Sequence, residues 1–113
     1  MHELAIMQGV LDIVSTEASK HGTAQANKIK LRIGAFTGVV KDALEFAFTA
    51  IKPGTVAERA MLEIEEVPLR KRCSQCEQIF QTRNDFNFLC PVCQHPLEIL
   101  SGREMQVEYI DFV

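Results

Sequence analysis

Two groups of residues in this 113-residue chain have the types and spacing for metal chemistry. The first contains all four cysteines, as Cys73-Ser74-Gln75-Cys76 and Cys90-Pro91-Val92-Cys93, separated by residues 77–89. Each pair sets two thiolates on one side of a tight turn. Two such turns facing each other close a tetrahedral four-sulfur shell, the arrangement zinc takes in structural sites. Two disulfides, or one redox-active CxxC, are the other chemistries open to these residues. A shell of four thiolates leaves no position for substrate, so the metal is expected to be structural.

The second group is Met1-His2-Glu3. Histidine at position two is bulky, so the initiating methionine is expected to stay. The α-amine of Met1, the backbone amide of His2 and its imidazole can then close fused chelate rings in one plane, and the Glu3 amide or carboxylate can complete the square. Planar nitrogen ligation suits nickel(II) and copper(II). The first amides of a helix have no internal acceptor, so using one as a ligand breaks no helical bond. The amine and imidazole titrate near roughly 7.7–8.0 and 6.5, so binding should weaken in mild acid. The plainer alternative is an ordinary chain start followed by a helix-favouring acid.

The elements that would position these groups can be read from periodicity. Leu4, Met7, Leu11, Val14 and Ala18 step by threes and fours, with Ile6, Val10 and Ile13 widening the stripe, so a helix is expected from Leu4 to about Ser19. Lys20, His21 and Gly22 form its stop, with no ligand role for His21. Residues 28–33 alternate as a strand, with Ile29, Leu31 and Ile33 opposite Lys28, Lys30 and Arg32. After Gly34 and Gly38, a second helix is expected over 41–52, burying Leu44, Ala47, Phe48 and Ile51. Further strands are expected over 60–67 and 104–109. The first strand is basic on its polar side and the other two are acidic. Opposite charges across a ladder help by about 0.2–1 kcal/mol per pair, so the basic strand should sit between the acidic ones, in the order two-one-three.

The expected fold is therefore α+β: a small three-stranded mixed sheet with two helices on one face, plus an inserted zinc-ribbon-like four-cysteine lobe. The inserted lobe would occupy residues 69–100, and the α/β domain residues 1–68 and 101–113. Ile79, Phe80, Phe86, Phe88, Leu89 and Leu97 are the expected core of the lobe, which is too small to stand without its metal. Arg70-Lys71-Arg72 reads as a solvated hinge. His95 reads as surface, since four cysteines already fill the shell.

Composition narrows the function. The chain is 47% hydrophobic, enough for a modest core, but no run is long enough to cross a membrane. No basic segment leads into an apolar core and a cleavage site, so no signal peptide is expected, and metal-spaced cysteines then indicate the cytoplasm. A net charge of −3 and a pI near 5.6 argue against general attraction to nucleic acid. No nucleophile–base pairing, Gly-rich phosphate loop or carboxylate pair suits an enzyme. The competing class is a zinc-ribbon module binding nucleic acid or protein through Arg70-Lys71-Arg72.

Met1-His2-Glu3-Leu4, the Gly34 turn after a basic strand, Leu44-Glu45-Phe46-Ala47-Phe48 and the late paired CxxC motifs together resemble the HypA/HybF family across essentially the whole chain. That resemblance implies a nickel metallochaperone for [NiFe]-hydrogenase maturation, serving urease maturation proteins in some bacteria. It implies nickel(II) at His2 with the Met1 amine and the backbone nitrogens of His2 and Glu3, and zinc(II) at Cys73, Cys76, Cys90 and Cys93. The 1–68 and 101–113 domain would then carry nickel, and 69–100 zinc. The implied partners are the GTPase HypB and the hydrogenase large-subunit precursor. Some members have an acidic residue near the start of the second helix; here Val40 stands there, with Asp42 just beyond. Some members carry a lobe histidine between the cysteine pairs; here His95 follows them instead.

Overall fold

The computed structural model describes residues 2–82 and 87–113, with residues 2 and 82 described through their backbone alone. Its elements run α1 (His2–Lys20), β1 (Ala26–Gly34), a 3-10 turn (Ala35–Thr37), α2 (Lys41–Ile51), β2 (Met61–Val67), β3 (Leu69–Cys73), β4 (Ile79–Thr82), β5 (Leu97–Ser101) and β6 (Met105–Phe112). They form two three-stranded sheets, ordered β2-β1-β6 and β4-β3-β5. The chain divides into two compact units. One is Met1–Leu31 with Val39–Glu65 and Gln106–Val113; the other is Arg32–Gly38 with Glu66–Met105.

In the first unit, the helical stripe buries Met7, Val10, Leu11, Val14 and Ala18. Ile13 falls outside it and is exposed. α1 ends where Gly22 takes a left-handed φ of 65°, which lets the Thr23 N–H reach back to the Ala18 carbonyl at 3.1 Å. Leu44, Ala47 and Phe48 are the buried face of α2. Opposite them, Ile29 and Leu31 of β1 are buried, so both helices cover the apolar face of a mixed sheet.

The other face is a charge ladder. Lys28 Nζ lies 3.2 Å from Glu63, and Lys30 Nζ lies 3.2 Å from Glu65 and 3.1 Å from Glu108. The residue numbers report strand direction. The pairs Lys28–Glu63 and Lys30–Glu65 rise together, as in parallel neighbours. The pairs Lys30–Glu108 and Gln25–Val113, the latter joined by a 3.1 Å backbone bond, run oppositely, as in antiparallel neighbours. The basic strand is thus central, between its acidic neighbours, as the charge argument requires.

The second unit differs from the sequence reading. Arg70-Lys71-Arg72 is no hinge but the middle of β3, which pairs antiparallel with both β4 and β5. Alternation along a strand turns Leu69, Lys71 and Cys73 inward, all buried, and Arg72 outward. Lys71 is only 2% exposed. Its ammonium donates to the Asn87 carbonyl at 2.7 Å and lies 5.3 Å from the centre of the Phe88 ring. Those contacts offset the desolvation that a buried cation would otherwise suffer. Ile79 and Leu89, expected in the core, are 51% and 48% exposed, and Phe86 lies outside the described residues. The described core here is small: Ile33, Val67 and Leu69 beside Cys73 and Cys90.

The segment after β1 is clasped by the β5–β6 connection. The Gly34 N–H donates to the Glu104 carbonyl at 2.7 Å, and the Phe36 N–H to the Gly102 carbonyl at 2.8 Å. A Cβ at Gly34 would run into the Gly102 carbonyl, so this approach requires glycine. The Phe36 ring then meets Phe88 edge-on at 5.6 Å, with the Arg103 guanidinium 5.7 Å from the Phe36 ring centre.

Candidate metal centre

β3 delivers Cys73 as its last residue, and the turn that follows carries Cys76 into β4. A second turn, before β5, carries Cys90 and Cys93. The four Sγ atoms lie within 4.8 Å of one another. Individual separations are 3.7 Å for Cys73–Cys76, 3.4 Å for Cys73–Cys93, 3.7 Å for Cys76–Cys90 and 3.2 Å for Cys76–Cys93. A disulfide would need about 2.05 Å. A tetrahedron with metal–sulfur bonds of about 2.3 Å has edges of about 3.8 Å. The cluster therefore fits a single closed four-sulfur shell.

The two turns are built alike. In the first, the Cys76 N–H points at Cys73 Sγ (3.4 Å), and the Glu77 N–H donates to the Cys73 carbonyl (2.8 Å). In the second, the Val92 N–H points at Cys90 Sγ (3.4 Å), and the Gln94 N–H donates to the Cys90 carbonyl (2.8 Å). Each turn closes through Glu77 and Gln94 in left-handed backbone, at φ of 61° and 63°. Neither residue type signals that conformation in a sequence. The Cys76 backbone N–H is the largest influence lowering the Cys73 thiol, to about 6, while the neighbouring Cys93 thiol pushes Cys76 up. Four thiolates this close repel one another, so an entering cation must displace protons. Cys73 and Cys90 are buried and Cys76 and Cys93 half-buried. The His95 side chain is exposed and outside the cluster; its carbonyl accepts the Cys90 N–H at 2.8 Å.

At the amino-terminal group, Met1 lies outside the described residues, and His2 enters only as the first backbone position of α1. Glu3 is half-buried, and its Oε2 accepts a hydrogen bond from the Val40 N–H at 3.4 Å. Val40 is the residue capping the start of α2, and its own side chain makes no capping bond. Glu3 thus places a carboxylate at the positive end of α2, where anions are favoured. Asp42 is exposed in the first turn of the same helix.

Two helices on a mixed three-stranded sheet, carried in one chain with a four-cysteine cluster on a second small sheet, define a small α+β metal-binding protein. The family model described as hydrogenase/urease nickel incorporation, metallochaperone, HypA matches residues 1–112. Similar curated proteins include two called hydrogenase maturation factor HypA. The one from Lawsonia intracellularis is 35% identical, covering 98% of both chains, and the one from Picosynechococcus sp. is 40% identical, covering 100% of both. A solution structure of the nickel metallochaperone HypA from Helicobacter pylori superposes with a TM-score of 0.69 over 98% of this chain and 97% of that one, at 18% identity, which speaks to the fold. The chain belongs to the HypA family. It is accordingly a maturation factor of hydrogenase metal incorporation rather than an enzyme. Among the described residues, no helix is long and apolar enough to cross a membrane.

Proposed function

We propose that this protein is a nickel carrier that binds Ni(II) at its amino terminus and passes it to the [NiFe]-hydrogenase large-subunit precursor. The observation that supports this most is the closed four-cysteine shell. Its four sulfurs fill a tetrahedral metal, which we assign as structural Zn(II) held by Cys73, Cys76, Cys90 and Cys93, so the cargo must bind elsewhere. The Met1 amine, the His2 amide and imidazole, and the Glu3 amide supply that second set. The Glu3 carboxylate is engaged with Val40, which favours the Glu3 backbone nitrogen as the fourth donor.

A cargo site of few ligands suits transfer, because incoming ligands can displace the old ones one at a time. On this reading, residues 1–68 with 101–113 form the nickel-binding domain, and 69–100 the zinc-binding domain. The partners are the GTPase HypB and the large-subunit precursor, with urease maturation proteins where urease is served, and the setting is the cytoplasm. The competing reading, a zinc-ribbon module binding nucleic acid or protein through Arg70-Lys71-Arg72, loses the middle residue of that run as a contact, because Lys71 is buried.

The test is His2→Gln, which keeps a bulky second residue and so the initiating methionine. It should abolish nickel uptake while zinc content and the amide spectrum stay unchanged. Wild-type nickel affinity in that variant would remove His2 from the set.

A further inference from the structure

The two faces of β3 have different surroundings. Lys71 and Cys73 point into their unit, and Arg70 and Arg72 point away from it. The register sets Arg70 opposite Gln81 and Arg72 opposite Ile79 on β4, and Arg70 opposite Ser101 and Arg72 opposite Glu98 on β5, where Leu100 is the extra residue of a bulge. Directly paired residues share a face. Exposure alternates along β5, which adds Leu100 to the side that holds Glu98. The outer face therefore carries Arg70, Arg72, Ile79, Gln81, Glu98 and Leu100.

Ile79 is 51% exposed and Leu100 41%. Arg72 and Glu98 form an ion pair at 3.7 Å between largely exposed side chains, the kind of pair that contributes little and exchanges readily. Arg70 has no ion pair among the described residues. Two guanidinium groups flanked by exposed aliphatic side chains, on a chain with net charge −3, are the composition of a contact surface.

We propose that this face docks an acidic amphipathic helix of a partner protein, with two carboxylates one helical turn apart and apolar residues on either flank. The spacing supports a helix. Residues two apart on a strand stand about 6.6 Å from one another. Residues i and i+4 of a helix rise about 6.0 Å, so consecutive carboxylates of one stripe meet Arg70 and Arg72. Strands lie about 4.8 Å apart and residues two apart on a strand about 6.6 Å, so Ile79 and Leu100, two strands and two residues apart, lie about 12 Å from each other on the diagonal across β3. That matches the 10–12 Å width of a helix with its side chains. Each guanidinium can take a carboxylate through two parallel donors. Nucleic acid fits less well, because Glu98 interrupts the positive face and, among the described residues, no aromatic side chain stands on it for bases to stack against.

The probe is a designed helical peptide of about sixteen residues, long enough to hold its helix, with glutamates at i and i+4 between leucine flanks. A second peptide replaces both glutamates with lysine. Binding to the zinc-loaded full chain is followed by fluorescence anisotropy, and amide shifts locate the contact. The glutamate peptide should bind, weaken with added salt, and shift Arg70, Arg72, Ile79 and Leu100; the lysine peptide should not. Arg70→Gln with Arg72→Gln should cost at least tenfold in affinity, as should Ile79→Lys, with zinc content unchanged, while Lys52→Gln should change nothing. Equal binding of the two peptides, shifts confined to another surface, or unaltered affinity in the arginine variants would overturn the proposal. So would preferential retention of a single-stranded oligonucleotide.

Discussion

Replacing Glu77 and Gln94 with glycine should strengthen the hold of the four-cysteine shell on zinc. Both residues close a cysteine turn with a positive φ, 61° and 63°. A residue with a Cβ held there costs about 1–2 kcal/mol. Glycine removes that cost but gives the unfolded chain more freedom, which takes back about 0.4–1 kcal/mol. The net gain is about 0.5–1 kcal/mol per site. Folding of so small a lobe is coupled to metal binding, so the gain should reach the metal affinity. At about 1.4 kcal/mol per tenfold, each variant should bind zinc roughly 2–5-fold tighter, and the double variant roughly 5–30-fold. Competition against a chromophoric chelator measures this directly. Gln75 supplies the control: it lies within the same turn but has negative φ, so Gln75→Gly should weaken binding. Weaker binding on Glu77→Gly, or the same sign at both positions, would refute the reasoning.

Gly34→Ala should destabilise the zinc-loaded protein by about 1–3 kcal/mol or more in urea unfolding, because the added Cβ meets backbone of Gly102 that cannot rotate away. Lys30, held first by Glu108 and then by Glu65, keeps its proton above the usual lysine value of 10.5. Its share of stability is therefore complete below that pH and fades as pH climbs through the raised value. The advantage of the wild type over Lys30→Met should shrink correspondingly in strong alkali, and with added salt at neutral pH. Chelating the zinc should release the slow hydrogen exchange of β3, β4 and β5 while amides of α1 and α2 stay protected.

The legible parts of the fold were those with a clean period or a clean charge rule. The α1 stripe, the alternation of Ile29, Leu31 and Ile33, and the central place of the basic strand all follow from local pattern. Lys28, Lys30, Glu63, Glu65 and Glu108 meet as that rule requires. The cysteine cluster was legible because every cysteine stands at metal spacing. What misled was β3. Its inward position 71 is filled by lysine, so Leu69-Arg70-Lys71-Arg72-Cys73 shows no apolar alternation, and its ammonium is satisfied by an Asn87 carbonyl sixteen residues away. Residue type alone points Ile79 and Leu89 to a core, yet Ile79 stands across from Arg72 on the outer face. The bond from the Val40 amide to Glu3 joins two helix starts 37 residues apart, and no local pattern announces it.

The central claim is that two metals occupy two separate sites, one permanent and one carried. Nickel titration of untagged, zinc-saturated chain at neutral pH, with both metals counted after dialysis, addresses it most directly. One nickel should bind per chain with all zinc retained, and that nickel should be lost when one residue is added ahead of Met1. No nickel uptake, or nickel gained only as zinc leaves, would contradict the account.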